Sequence, residues 1–215
     1  MSFEFIAVSD WAIALLIVAG LAACVFTDQM QLVAKAAGAI NGRVASGYNS
    51  AMKIMVLNRV GAVLFFTSSS MFIETSAAPK AIAEIYIVGV MASIFLIAMM
   101  LMFYVRKGVL QVNSLPSRNL WGWSALANAF SMLGLTVPYI FASSFLDFRL
   151  VLTNLSFLFN TIYTVVMVFV VENSLAKIID ENGDELRPTA GWIVIGRLVG
   201  YIITLVALII LEKSR

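Results

Sequence analysis

Six apolar stretches dominate the chain, at residues 11–26, 51–73, 81–105, 121–146, 150–171 and 190–211. A helical bilayer crossing takes about 20 predominantly apolar residues. Within hydrocarbon, every backbone donor and acceptor must also be paired inside the protein. None of the stretches alternates apolar and polar residues with a period of two, as a barrel strand would. The sequence therefore predicts an all-α polytopic membrane protein with about six transmembrane helices. Composition agrees: 12% of residues are charged, against about 25% in a soluble domain. An apolar run ending in "LAAC" (21–24) looks like a cleavage site, but Glu4 and Asp10 precede it without a Lys or Arg. A secretory leader starts basic, so this run is read as the first span. The segment 27–50 reads as too polar to cross. It is expected to be a small-residue helix, an interfacial segment or part of a long, broken second span.

The chain divides into a three-span half at 1–107 and another at 108–215, within one integrated membrane domain. With an offset of 106 (142 minus 36), Ala36, Arg43 and Ser50 fall on Ala142, Arg149 and Ser156, and Asn41 falls on Asp147. Three spans per half would invert the second copy, an arrangement found in secondary transporters, whose sites lie between the repeats. Lys35, Arg43, Arg106, Lys107, Arg118, Lys177 and Arg187 flank the odd-numbered connections, whereas Lys80, Arg149, Lys213 and Arg215 lie on the other side. The positive-inside rule then places both termini outside. Trp121 and Trp123 stand at a span entrance, as an aromatic belt requires.

Two arginines interrupt the apolar runs. Arg59 and Arg197 each lie eight or fewer residues into a window, roughly 12 Å from its inner end at 1.5 Å per residue. An arginine so placed costs a few kcal/mol unless it faces a polar cavity or a partner. Its planar fork suits phosphate oxygens, so both are candidate anion-binding residues; snorkelling or an ion pair is the competing reading. Glu84 is the acid within the windows. It enters from the opposite side, which disfavours direct pairing and leaves it a candidate proton carrier or an interfacial acid. Lys53 reads either as a headgroup-snorkelling lysine or as part of the cationic site. Asn58 can bond a neighbouring helix or a substrate. Ser156, Asn160 and Thr164 share one helical face, lining a cavity or locking helices together. Gly196 and Gly200 in "GRLVG" form a small-xxx-small packing face. The acidic stretch 180–185 lacks calcium-loop spacing and reads as a solvated turn.

Function classes narrow by absence. The chain has no histidine and one cysteine, Cys24, which removes the commonest metal ligand and general base and any cysteine-based zinc cluster. There is no GxxxxGK[ST] nucleotide loop and no aspartate cluster of the kind used by membrane phosphotransferases. A net charge of +2 gives no reason to expect a nucleic-acid partner. No enzyme activity, metal or cofactor is expected.

The stretch "AAGAINGRVASGYNSAMKIMVLNR" resembles the first-half signature of the Amj-type alternate lipid II flippases, through Ala37-Gly38, Gly42-Arg43, Ala45 and Arg59. Asn58 stands where that signature has serine. Arg149, Ser156, Asn160 and Thr164 match the second-half pattern of Arg followed at +7, +11 and +15 by Ser, Asn and Thr. "GRLVG" resembles the last-span motif. The resemblance implies a bacterial cytoplasmic-membrane protein that moves an undecaprenyl-pyrophosphate-linked precursor outward by alternating access. Its partners would be that lipid, the surrounding membrane lipids and, where it self-associates, a second copy. Arg59, Arg197, Asn58, Arg43, Lys53, Arg149, Ser156, Asn160 and Thr164 would contact substrate. A relative moving another polyprenyl-linked glycan, or a transporter or channel for a small soluble anion, would use the same arginines.

Overall fold

A computed structural model describes residues 8–75, 79–116, 119–181 and 185–214. Among them there is no strand. Six helical rods are long and apolar enough to span a membrane: α1 (Val8–Ile40), α2 (Val44–Thr75), α3 (Pro79–Arg106), α4 (Leu120–Ser144), a fifth rod, and α7 (Leu186–Lys213). The fifth rod is composite. α5 (Arg149–Val165) continues through a π-helical segment (Val166–Glu172) into α6 (Asn173–Glu181).

The polar stretch 27–50 is not a separate helix, and its last part opens the second span. Residues 27–40 extend α1, and residues from Val44 onward begin α2. "QMQLVAK" and the alanines that follow are good helix formers, so the helix runs on after the apolar run stops. It ends at Gly42, whose φ of +66° is left-handed. There Gly42 N–H donates to Ala39 and Arg43 N–H donates to Gly38, the latter at 2.7 Å, a Schellman cap that only glycine makes without strain. The same device ends α3 at Gly108, where φ is +69°. Asn119 caps α4 by accepting from Gly122 N–H.

α1, α3, α4 and α7 form the centre, while α2 packs chiefly on α1 and α5 chiefly on α4. α3 meets α7, whereas α1 and α4 do not pack along one another, nor do α2 and α5. Glycines set the close approaches. A β-carbon on Gly20 would lie 2.7 Å from the Phe65 nitrogen, and Gly38 lies against Gly47 at the other end of the α1–α2 seam. On α7, methyl groups at Gly196 and Gly200 would run into the Trp121 and Ala125 carbonyls of α4. The "GRLVG" glycines are packing residues. Phe65, Phe66, Tyr86 and Tyr139 join α2, α3 and α4 in one aromatic cluster, with ring centroids 5.4–6.2 Å apart. Trp121 lies 6.4 Å from Trp192, and Trp192 Nε1 donates to the Ser114 carbonyl at 2.8 Å, which marks one interfacial belt.

Asn58 illustrates how polar residues join these helices. Its amide donates to the Cys24 carbonyl at 2.7 Å and to the Thr27 hydroxyl at 3.0 Å. Asn58→Leu should lower stability by roughly 0.6–1.7 kcal/mol, the measured range for such contacts in membranes. Unfolding titration in mixed micelles would read the change.

Candidate functional site

The strongest polar feature lies where α1, α4, α5 and α7 converge. Arg197 is 2% exposed. One of its terminal nitrogens donates to the Asp28 carboxylate at 2.8 Å, to the Asp28 carbonyl at 3.1 Å and to Gln29 Oε1 at 3.3 Å. The network continues from Gln29 Nε2 to Tyr201 Oη at 3.3 Å and from Tyr201 O–H to Asn128 Oδ1 at 2.9 Å. The Asn128 amide donates to the Ser124 carbonyl, and the Ser124 hydroxyl donates to Ile193. The other Asp28 oxygen accepts from Tyr163 of α5 at 3.3 Å. Two turns further along α1, Lys35 pairs with Glu172 at 2.7 Å. Burying these groups is tolerable because nearly all of them are paired; Arg197 Nε is the exception among the described residues.

Arg197 therefore has a protein partner, and that partner is Asp28 rather than Glu84. Asp28 lies outside the first predicted span, which ends two residues before it, where the polar stretch 27–50 begins. Continuing the helix register through "TDQMQ" would have found it. Glu84 is buried near the start of α3, toward the opposite end of the bundle from the residues joined to Arg197.

The π-helical segment explains why both Tyr163 and Glu172 reach α1. Nine residues of α-helix, at 100° per residue, would put them on opposite faces. The i→i+5 winding turns less per residue, which brings Glu172 back toward the face used by Tyr163. The Asn173 N–H donates back to Val168, five residues earlier, as that winding requires.

Arg59 behaves differently. It is exposed, and it has no hydrogen bond or ion pair among the described residues. Arg59 lies eleven residues after Tyr48 and seven before Phe66, so the three share a helical face. The Tyr48 ring lies under Lys35 Nζ at 5.4 Å, and Phe66 lies 6.2 Å from Tyr139 of α4. This face is thus bordered by α1 at one end and α4 at the other. Between those contacts Arg59 is exposed, and α2 and α5 do not pack along one another there. Asp28, seven residues before Lys35 on α1, keeps 24% of its side-chain surface exposed.

The other expected site residues scatter. Lys53 is exposed one and a half turns before Arg59 on α2. Arg43 lines a surface depression of about 610 Å³ with Asn41, Ser46 and Ser50, at the α1–α2 turn. Arg149 is exposed at the far end of α5. Ser156 is buried with no hydrogen-bond partner among the described residues, and Asn160 is half-buried. Thr164 is exposed, and its hydroxyl donates to the Asn160 carbonyl. The inward stripe on α5 is therefore Ser156, Asn160 and Tyr163. A second depression of about 530 Å³, between Ile40, Val44, Gln111, Ile179 and Arg187, opens at the end of the bundle that carries the α1–α2 turn. Two basic positions and part of the acidic turn (118, 215 and 182–184) lie outside the described residues. No family model, curated protein or solved structure matches the chain.

Proposed function

We propose that this protein is a flippase of the bacterial cytoplasmic membrane, carrying an undecaprenyl-pyrophosphate-linked, lipid II-like precursor from the inner to the outer leaflet. The observation that carries the reading is Arg59: an exposed guanidinium, unpaired among the described residues, on a helix long and apolar enough to span a membrane. Lys53, six residues earlier, marks where the helix turns polar. Arg59 therefore sits roughly 9 Å deeper at 1.5 Å per residue. A cation exposed to lipid at that depth is costly, and a phosphate entering sideways from the adjoining leaflet would satisfy it. A soluble anion would instead call for a laterally enclosed route, with the cation turned inward.

Support also comes from helix arrangement. Each half has a first helix that packs on both others, and the third helices of the halves meet, as two inverted three-helix repeats would. Alternating access would then be relative movement of the halves, with the aromatic cluster of Phe65, Phe66, Tyr86 and Tyr139 closing the end opposite the α1–α2 turn. Arg197, held by Asp28, would receive phosphate only after that pair separates.

Translocation of lipid II in proteoliposomes tests the reading, with wild type and Arg59→Ala at matched incorporation. Wild type should translocate, and Arg59→Ala should lose at least tenfold in rate while its stability stays within about 0.5 kcal/mol, as for other surface substitutions. Full activity in the variant would remove Arg59 from the mechanism. Chloride or phosphate uptake without lipid movement would instead make this a soluble-anion transporter.

A further inference from the structure

We propose that the π turn of the fifth rod is a sliding register device, which exchanges Tyr163 for Thr164 beside Asp28 while both ends of the rod stay in place. The slide itself does not depend on the flippase reading; its use in transport does.

Three observations carry it. First, the π turn fits the fifth rod to α1. Asp28 and Lys35 are seven residues apart on α1, so they share a face and stand about 10.5 Å apart along it. Their partners, Tyr163 and Glu172, are nine residues apart on a rod that runs parallel to α1, as the order of the two contacts requires. Plain α-helix would set those two about 13.5 Å apart and on opposite faces. A π turn absorbs one residue, which leaves the equivalent of eight: about 12 Å along the axis and about 80° round it. Second, little packing opposes a local change, because α1 does not pack along α5 or the π-helical segment. Third, Thr164 is polar yet exposed, and its hydroxyl donates only to Asn160 of its own helix. It stands one residue from the Asp28 contact and takes no part in it.

The slide follows from the winding. When the π turn moves from Val166–Glu172 to lie between Asn160 and Thr164, each residue that it has passed steps back by one helical position. Thr164 then stands where Tyr163 stood, and Tyr163 takes the place of Ile162, about 100° round the helix. Glu172 lies beyond both positions of the turn, so it keeps Lys35. Ser156, Asn160 and Thr164 become one inward stripe. The same i→i+5 winding is present in both arrangements, and the two are alternative states of one rod. Threonine is shorter than tyrosine by a ring, so the slide opens space beside Asp28. Next to that space is Arg197, whose Nε has no partner among the described residues. On the flippase reading, this is the step that uncovers the arginine for a phosphate oxygen.

Single-residue deletions separate the two registers, because removing the absorbed residue leaves plain α-helix with everything beyond it unmoved. Deleting Val168 fixes Tyr163 at Asp28, and deleting Ile162 fixes Thr164 there. Deleting Leu133 from α4, a helix without a π turn, is the control. In phosphatidylcholine nanodiscs, both fifth-rod deletions should fold with wild-type yield. The control should lose most of its folded protein, since every later residue of α4 is turned by about 100°. Misfolding of either fifth-rod deletion would overturn the proposal. Spin labels at Val56→Cys and Val165→Cys, in a Cys24→Ala background, then report the distance from α2 to the moving turn. The two deletions should give different distances, and wild type should show both, with the Ile162-deletion distance gaining when farnesyl pyrophosphate is added. A single wild-type distance equal to that of the Val168 deletion, with and without the lipid, would mean that the turn does not slide. In proteoliposomes, each deletion should translocate lipid II at least tenfold more slowly than wild type. Wild-type rates in either deletion would remove the slide from transport. No translocation by wild type would sink the flippase reading, while the distances would still decide the slide.

Discussion

Asp28→Ala is expected to destabilise the folded protein by about 3–5 kcal/mol, the cost of leaving one member of a buried ion pair uncompensated. The loss falls on Arg197, which is 2% exposed and would keep only the Asp28 carbonyl and Gln29 as acceptors. Arg197→Ala should cost less electrostatically, because the orphaned Asp28 keeps 24% of its side-chain surface exposed, but it also leaves a cavity among α1, α4 and α7. The double variant Asp28→Leu/Arg197→Met removes both charges and should recover much of the stability of Asp28→Ala, since buried pairs are commonly no better than apolar replacements. A double-mutant cycle in a refolding micelle system would measure the coupling. Additive losses would mean that the two side chains do not depend on each other.

Gly196→Ala should be more damaging than its single added methyl suggests. The new β-carbon would overlap the backbone carbonyl of Trp121, which cannot rotate away as a side chain could. α7 would have to withdraw from α4, weakening the Ser124 bond to Ile193 and the Tyr201 bond to Asn128. Losses above about 4 kcal/mol are exceptional for point changes and arise from such core overpacking; Gly196→Ala is placed at that level. Gly61→Ala is the comparison. There the nearest atoms include the Ala23 Cβ and Cys24 Sγ at 3.2 Å, so a shift of a few tenths of an ångström suffices and the expected cost is about 1–2 kcal/mol. Equal stabilities of the two variants, by unfolding titration, would show that α7 and α4 can separate freely.

These features differ in how far the sequence disclosed them. The six spans were legible because membrane burial leaves a long, contiguous mark in composition. The small-xxx-small face at Gly196 and Gly200 was legible because it lies on one helix with fixed spacing. Asp28 was not, since an apolar window ends wherever polarity begins, although α1 carries its polar residues onward without a break. The pairing of Arg197 with Asp28 joins residues 169 apart, and nothing local to either announces the other. The α5 stripe was legible in two of its three members. Ser156 and Asn160 face inward, but the third member is Tyr163, because Thr164 falls one residue round the helix toward lipid. Lys35 and Glu172 could not be matched at all from periodicity, because the π-helical winding between Tyr163 and Glu172 changes the angle that periodicity assumes. Arg59 stood out in the sequence because it interrupts an apolar run. Its direction was not legible, because hydropathy reports depth and says nothing of which side of a helix meets protein.

The glycine contacts along α1–α2 have a mechanical consequence. Gly20 against Phe65 and Gly38 against Gly47 fasten that hairpin about 27 Å apart along α1, at 1.5 Å per residue. Gly134 against Phe159 fastens α4 to α5 in the same manner. Neither hairpin can flex one helix without dragging its mate. Arg59 and Asp28 must travel as passengers of a single stiff leaf, and Ser156, Asn160 and Tyr163 as passengers of another. Motion between the halves is then the shearing of two leaves past one another, on the microsecond-to-millisecond scale of rigid-body movements, resisted by the Lys35–Glu172 ion pair, the Tyr163–Asp28 hydrogen bond and the Phe65 and Phe66 contacts with Tyr139 that cross between them.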